Sequence, residues 1–222
     1  VLAVVAFTAV LLINAQGNTP RNAAMPQAEN VTVREFAVLP GEDVYPAAVA
    51  VAPDGRVYTG SYQTGALYVI LADGAAVTEI PGSREAVGAA AGLAFAPDGS
   101  LLIVDHLDAD VRASGGLVKR LSPDGMFSDF ARIEDERGFV LPHDVTVDAA
   151  GSVYISDRGR DEVWRFNADG TGGVAWWTSP QVAGNVAGYE PNGLAFDPVS
   201  NAIIITDGAQ SILYRVAVSD GA

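Results

Sequence analysis

The chain contains no cysteine, few basic residues and two histidines. Without cysteine there are no disulfides, no thiolate metal sites and no cysteine nucleophile, so stability must come from packing. Lysine and arginine number 13 against 27 acidic residues, a formal net charge of −14 with no basic cluster. Nucleic acid, whose phosphates demand clustered cations, is excluded as a partner. The two histidines are accordingly conspicuous. No Ser/His/Asp constellation, phosphate-cradling glycine loop or nucleotide motif is present.

What is there is repetition. Residues 141–166, LPHDVTVDAAGSVYISDRGRDEVWRF, hold three short apolar runs separated by turn residues. Val, Ile, Tyr and Trp in runs of this length suit a pleated, half-buried surface, so the stretch reads as three antiparallel strands. The same template fits 45–74, 90–125 and 190–221. Its entry strand recurs as AVAV, GLAF, DVTV and GLAF, ending at Val51, Phe95, Val147 and Phe196. Several strands per unit at a period of roughly 40 to 50 residues mark an all-β fold, the β-propeller, whose sheets pack radially around a channel. The runs VTEI, FSDFARI and VAWWTS supply a fourth, outer strand to the first three units. Four blade units are therefore expected over 31–222, as part of a six-bladed ring. Val51, Phe95, Val147 and Phe196 are expected at equivalent buried positions, and Val31–Leu39 as a strand preceding the first blade.

Ahead of the blades, residues 1–15 form an uncharged apolar run, short for a membrane span and suited to the core of a secretory signal. Residues 1–17 are read as a signal peptide or signal anchor and the polar, Pro-containing 18–30 as a linker. The expected setting is export, with membrane contact through the N-terminal segment alone if it is uncleaved.

In a propeller the start of the first strand and the end of the second share one face of the ring. Here the starts are Pro46-Ala47, Ala91-Gly92, Pro142-His143 and Pro191-Asn192, and the second strands end at Ser61, Asp105, Asp157 and Asp207. Polar residues there point to a channel-mouth site for a small molecule. Each has two readings. The terminal aspartates either cap turns by accepting backbone N–H groups or ligate. His143 either hydrogen-bonds within the mouth or contacts metal or substrate, and Asn192 either turns the backbone or ligates. His106 and Arg112 lie on the long loop HLDADVRASGG, a lid or a tolerated insertion.

The runs PHDVTVDAAGSVYISD and PNGLAFDPVSNAIIITD resemble the senescence-marker-protein/gluconolactonase family and its strictosidine-synthase-like relatives. That resemblance implies a six-bladed propeller holding one divalent cation at the mouth. In the family a Glu opens the first blade, Asn-Asp the third, Asn-Gly the fourth and an Asp the fifth. Asn192-Gly193 matches the fourth-blade pair, and His143-Asp144 stands where Asn-Asp is expected. Ala47 departs from the first-blade Glu, with Glu42 and Asp43 nearby. The implied metal ligands are Asn192 and His143 on Ca²⁺ or Zn²⁺, with Asp144, Glu190 and His106 as substrate-binding residues. The implied activity is an exported metal-dependent lactonase-like hydrolase acting on a small ester or lactone. The repeat also resembles NHL propellers, a non-catalytic binding or scaffold module, and virginiamycin-lyase-like propellers. The Pro-His start resembles amidating lyases, which use histidine on zinc.

Overall fold

The computed structural model describes residues 33–42, 44–110, 115–180, 191–209 and 211–219. The expected signal segment and linker lie outside them. The chain divides into Val1–Glu35 and Phe36–Ala222, and every strand falls in the second unit.

That unit is all-β: four antiparallel sheets arranged as the blades of a propeller. The first blade orders β1 (Pro46–Val51), β2 (Val57–Ser61), β3 (Leu67–Ile70) and β4 (Val77–Glu79) from inside to outside. A four-residue helix, α1 (Ser83–Ala86), leads to the second blade: β5 (Ala90–Phe95), β6 (Leu101–Asp105), β7 (Leu117–Leu121) and β8 (Phe127–Ala131). The third comprises β9 (Pro142–Val147), β10 (Val153–Asp157), β11 (Glu162–Phe166) and β12 (Val174–Thr178). The fourth comprises β13 (Pro191–Asp197), β14 (Ala202–Asp207) and β15 (Ile212–Ala217).

The turns follow from local chemistry. Between the first two strands of each of the first three blades a glycine takes left-handed φ, +86° at Gly55, +83° at Gly99 and +88° at Gly151, which a side chain would strain. An aspartate within the turn caps it: Asp54 and Asp98 accept the N–H groups of Arg56 and Ser100, and in the third blade Asp148 Oδ1 accepts those of Ala150 and Ser152, both at 2.9 Å. The fourth blade has no glycine there. Asn201 takes φ +48° instead, and the turn closes one residue tighter, pairing Asp197 with Ala202.

Apolar layers fill the spaces between blades. Leu67, Leu93, Leu101 and Ile103 lie between the first and second. Leu102, Val104, Val145, Ile155 and Trp164 lie between the second and third, and Tyr154, Trp176, Ile203 and Ile205 between the third and fourth. The second and third sheets are apolar on both faces because each face has a neighbour to cover. The inner strands pack in the order β1, β5, β9, β13, and β13 does not lie along β1.

Two expectations are corrected. Residues 33–39 carry no strand assignment, because no neighbouring strand pairs with them among the described residues. The four repeat anchors are not uniformly buried. Val51, Phe95 and Val147 share a register position, opposite Val57, Leu101 and Val153. Phe196 is offset by the tighter turn and faces Ile203. Val51 is 63% exposed, since β1 has a blade on one side only among the described residues, and the other three are half-buried.

Candidate functional site

In every blade the inner strand carries one extra residue at its start. Register breaks between Pro46 and Ala48, between Ala90 and Gly92, opposite Ser156 for His143-Asp144, and opposite Thr206 for Asn192-Gly193. A bulge bends the strand and re-aims the side chain it carries, and it leaves one residue out of the ladder. Ala47, Ala91, His143 and Asn192 thus occupy equivalent bulges on the channel-mouth face, where the sequence placed its candidates. Two alanines precede the two polar residues, so the chemistry is concentrated on the third and fourth blades.

A second set of residues lies one position beyond each second strand: Tyr62, His106, Arg158 and Gly208. Tyr62 and Arg158 escaped the sequence reading, although the signal was available, since each directly follows a strand end already identified. His106 is buried and joins three blades. Its Nδ1 pairs with the Tyr62 hydroxyl at 2.8 Å, and its Nε2 contacts the Pro142 carbonyl. A carbonyl can only accept, so Nε2 carries the proton and Nδ1 accepts from Tyr62. The rings of Tyr62 and His106 meet edge to face at 5.3 Å. Burial pushes the His106 pKa below its ordinary value, and burial raises that of Tyr62.

His143 follows the carbonyl that His106 contacts, so the chain's two histidines stand side by side. Burial, then the Arg158 guanidinium, then His106 push the His143 pKa down to about 4. The imidazole is therefore neutral across the physiological range, and its Nδ1 is buried with no hydrogen-bond partner among the described residues.

Asp144 serves structure. Its Oδ1 accepts the Val145 N–H at 2.9 Å and its Oδ2 accepts the Leu194 N–H at 2.8 Å, tying the third blade to the fourth. Burial raises its pKa, and the two backbone bonds oppose that rise. Glycine at 92 lets the second blade approach, since a Cβ there would sit 2.8 Å from both Asp144 Cα and the His143 carbonyl oxygen. Ser156 donates to the Asn192 carbonyl at 2.6 Å and accepts the Asp144 N–H at 3.0 Å, holding both bulges in place.

Asp105 and Asp157 accept backbone N–H groups, as a turn cap does, and Asp207 Oδ2 accepts the Ser179 hydroxyl at 3.2 Å. Asp105 Oδ1 accepts N–H groups from Gly88, Ala89 and Leu107, and Asp157 accepts from Val140, Leu141 and Gly159. Each clasps the loop that enters its own blade. Burial nevertheless raises the Asp157 pKa. Glu190, Arg112 and Asp43 lie outside the described residues. Among the described residues no three His, Cys, Asp or Glu side chains gather as metal ligands. His143 and Asn192 remain two donors on adjacent blades, and the carboxylate of Asp144, next in sequence to His143, is committed to backbone N–H groups. That set does not fit Ca²⁺, which takes 6 to 8 oxygens, or a tetrahedral Zn²⁺ site.

Fold and mouth together define a β-propeller with a polar imidazole-bearing end. No known family and no curated protein matches the sequence. Solved structures do match. A streptogramin B lyase is 16% identical with a TM-score of 0.62, over 82% of this chain and 54% of that one. A catalytically inactive His→Ala variant of virginiamycin B lyase from Staphylococcus aureus, with quinupristin, is 17% identical with a TM-score of 0.62, over 82% and 55%. A chain of a nidogen/laminin complex is 19% identical with a TM-score of 0.63, over 80% and 62%. At these identities the likeness is one of fold. The chain spans little more than half the length of the lyases.

Proposed function

We propose that this chain binds a small molecule bearing a carbonyl or carboxylate at the channel mouth, through His143, Asn192 and the Tyr62–His106 pair. One observation carries the reading: both histidines of an acidic, histidine-poor chain meet at the mouth, one locked by two hydrogen bonds and the other with an unpartnered buried nitrogen. A neutral imidazole can donate to a carbonyl oxygen or accept from a hydroxyl, and Arg158 nearby favours negative charge.

Within this reading the chemistry is ester or lactone hydrolysis, or lyase-type elimination. The elimination reading draws on a histidine being needed by the virginiamycin B lyase whose His→Ala variant is inactive. A base whose pKa lies near 4 holds protons poorly at neutral pH, so His143 orients a ligand better than it abstracts a proton. No step is routed through a metal. The apolar run 1–15 supports export as the setting, tested by whether residues 1–17 direct a reporter out of the cell.

Calorimetry with gluconolactone, gluconate and quinupristin tests the site. Saturable binding of at least one ligand, lost in His143→Gln, is expected. Binding of none, or binding unchanged by that substitution, would overturn the proposal.

A further inference from the structure

Three clefts separate the four blades, and two of them are plugged in the same way. The outer strand β8 carries an extra residue opposite the Val118–Lys119 step, and β12 carries one opposite the Val163–Trp164 step. The residue left out of the ladder is aromatic in both, Phe130 and Trp176, and a bulge re-aims the side chain it carries. Phe130 packs on the core between the second and third blades. Its ring lies over the third blade's outer turn, where a Cβ on Gly170 would meet it at 3.3 Å. Trp176 is fully enclosed with Tyr154, Ile203 and Ile205 between the third and fourth blades.

The cleft between the first and second blades has no such plug. There β4 pairs with β3 without a break, and the next residue, Ile80, stays in step with its N–H on the Leu67 carbonyl at 2.7 Å. Gly125 is the second blade's counterpart of Gly170, and a Cβ there would meet nothing within 4 Å. Leu121 stands where the third blade has Phe166, since each pairs with the first residue of its blade's second strand. Ile80 and Leu121 therefore occupy the places that Phe130 and Phe166 occupy in the next cleft.

A cavity of about 440 Å³ is left, the size of a small-molecule site. It opens among the β1–β2, β5–β6 and β7–β8 turns, at the strand ends remote from the channel mouth. Ile80, Leu101 and Leu121 line it together with Tyr58 and Phe95, whose rings meet edge to face at 5.1 Å. Arg56 supplies charge at its side, with the guanidinium 5.7 Å from the centre of the Tyr58 ring. Asp54 accepts from its Nε at 2.8 Å, and its terminal nitrogens bond no described residue.

We propose that this cleft is a second binding site, for a small aromatic carboxylate. The ligand's ring takes the place of the phenylalanine that plugs the next cleft, and its carboxylate accepts from the terminal nitrogens of Arg56. Aromatic walls reward a ring through edge-to-face contact, and a guanidinium fork matches a carboxylate in geometry as well as charge.

Phenylpropionate is the probe, used with the full chain. Calorimetry should show saturable binding, and NMR should show contacts from the probe's ring protons to the methyl groups of Ile80, Leu101 and Leu121. Leu121→Phe and Ile80→Phe, which fill the cleft as the next one is filled, should each weaken binding roughly tenfold or more, and Arg56→Gln roughly tenfold. Phenylpropanol, which carries no charge, should bind the unmodified chain and Arg56→Gln alike. Absence of the ring–methyl contacts overturns the proposal, as does undiminished binding in filled variants that still melt cooperatively. A probe that moves only the imidazole signals of the mouth overturns it too. Should a filled variant fail to fold, the ring–methyl contacts and the exposed Arg56→Gln change decide the matter, and their joint absence refutes the site.

Discussion

The middle two blades and the end two share one sequence template and differ in what covers them. Among the second strands, β6 and β10 are buried at all five residues, whereas β2 is buried at three of five and β14 at four of six. Leu102 and Tyr58 occupy the same register position, yet Leu102 is fully enclosed and Tyr58 half-buried against Phe95. The repeat specifies a strand that could be buried, and burial itself comes from the neighbouring blade.

The strand-end clasps differ in the same way. Asp105 and Asp157 reach back across 16 or 17 residues to hold their entry loops, while Ser61 Oγ accepts N–H groups from Gln63 and Thr64 within its own turn. The middle blades are clasped by these aspartates, whereas the first blade's entry segment is held by the Tyr62 N–H bond to the Tyr45 carbonyl at 3.1 Å and by Val44 against Tyr68.

That contrast is open to test, beginning with the core. Leu102→Ala or Ile155→Ala should cost about 2 to 5 kcal/mol in a denaturant melt, and Val51→Ala within about 0.5 kcal/mol. Equal losses would mean that the blades are equivalently covered. Next, Asp157→Ala strips one buried and two part-buried N–H groups of their acceptor and should cost about 3 kcal/mol, against about 1 kcal/mol for Ser61→Ala.

A smaller effect should appear with pH. The folded His143 takes its proton near pH 4 and the unfolded one near 6.5, so between those values the unfolded chain binds the extra proton. Stability should therefore fall as pH drops from about 6.5 to about 4, by roughly 2 kcal/mol after allowance for partial exposure. The loss should be absent from His143→Gln over the same window, which separates it from the carboxylates. The smallest effect expected is from metal. With two donors at the mouth, Ca²⁺ and Zn²⁺ should shift the melting temperature little, and a large shift would show that ligands outside the described residues complete a site.

The sequence made the architecture legible because strand runs, Asp-Gly turns and period repeat four times. It also located the mouth, since His143 and Asn192 begin strands at one repeat position. It could not show that both sit in bulges, because a bulge is a mismatch between two strands and neither strand alone records it. Asp144 reads as a site residue, and its carboxylate also ties two blades, a bond that depends on Leu194 being 50 residues away in sequence and 2.8 Å away in space. Val31–Leu39 read as a strand for good local reasons, and its described part, 33–39, has no pairing strand among the described residues.

Imidazole NMR tests the central claim most directly, because two histidines give two sets of signals and both belong to the mouth. The account predicts that His143 stays neutral down to about pH 4, that His106 also titrates below its ordinary value, and that His143 shifts when gluconolactone or another carbonyl-bearing ligand binds. Two histidines titrating together near pH 6.5 and unmoved by every ligand would contradict it.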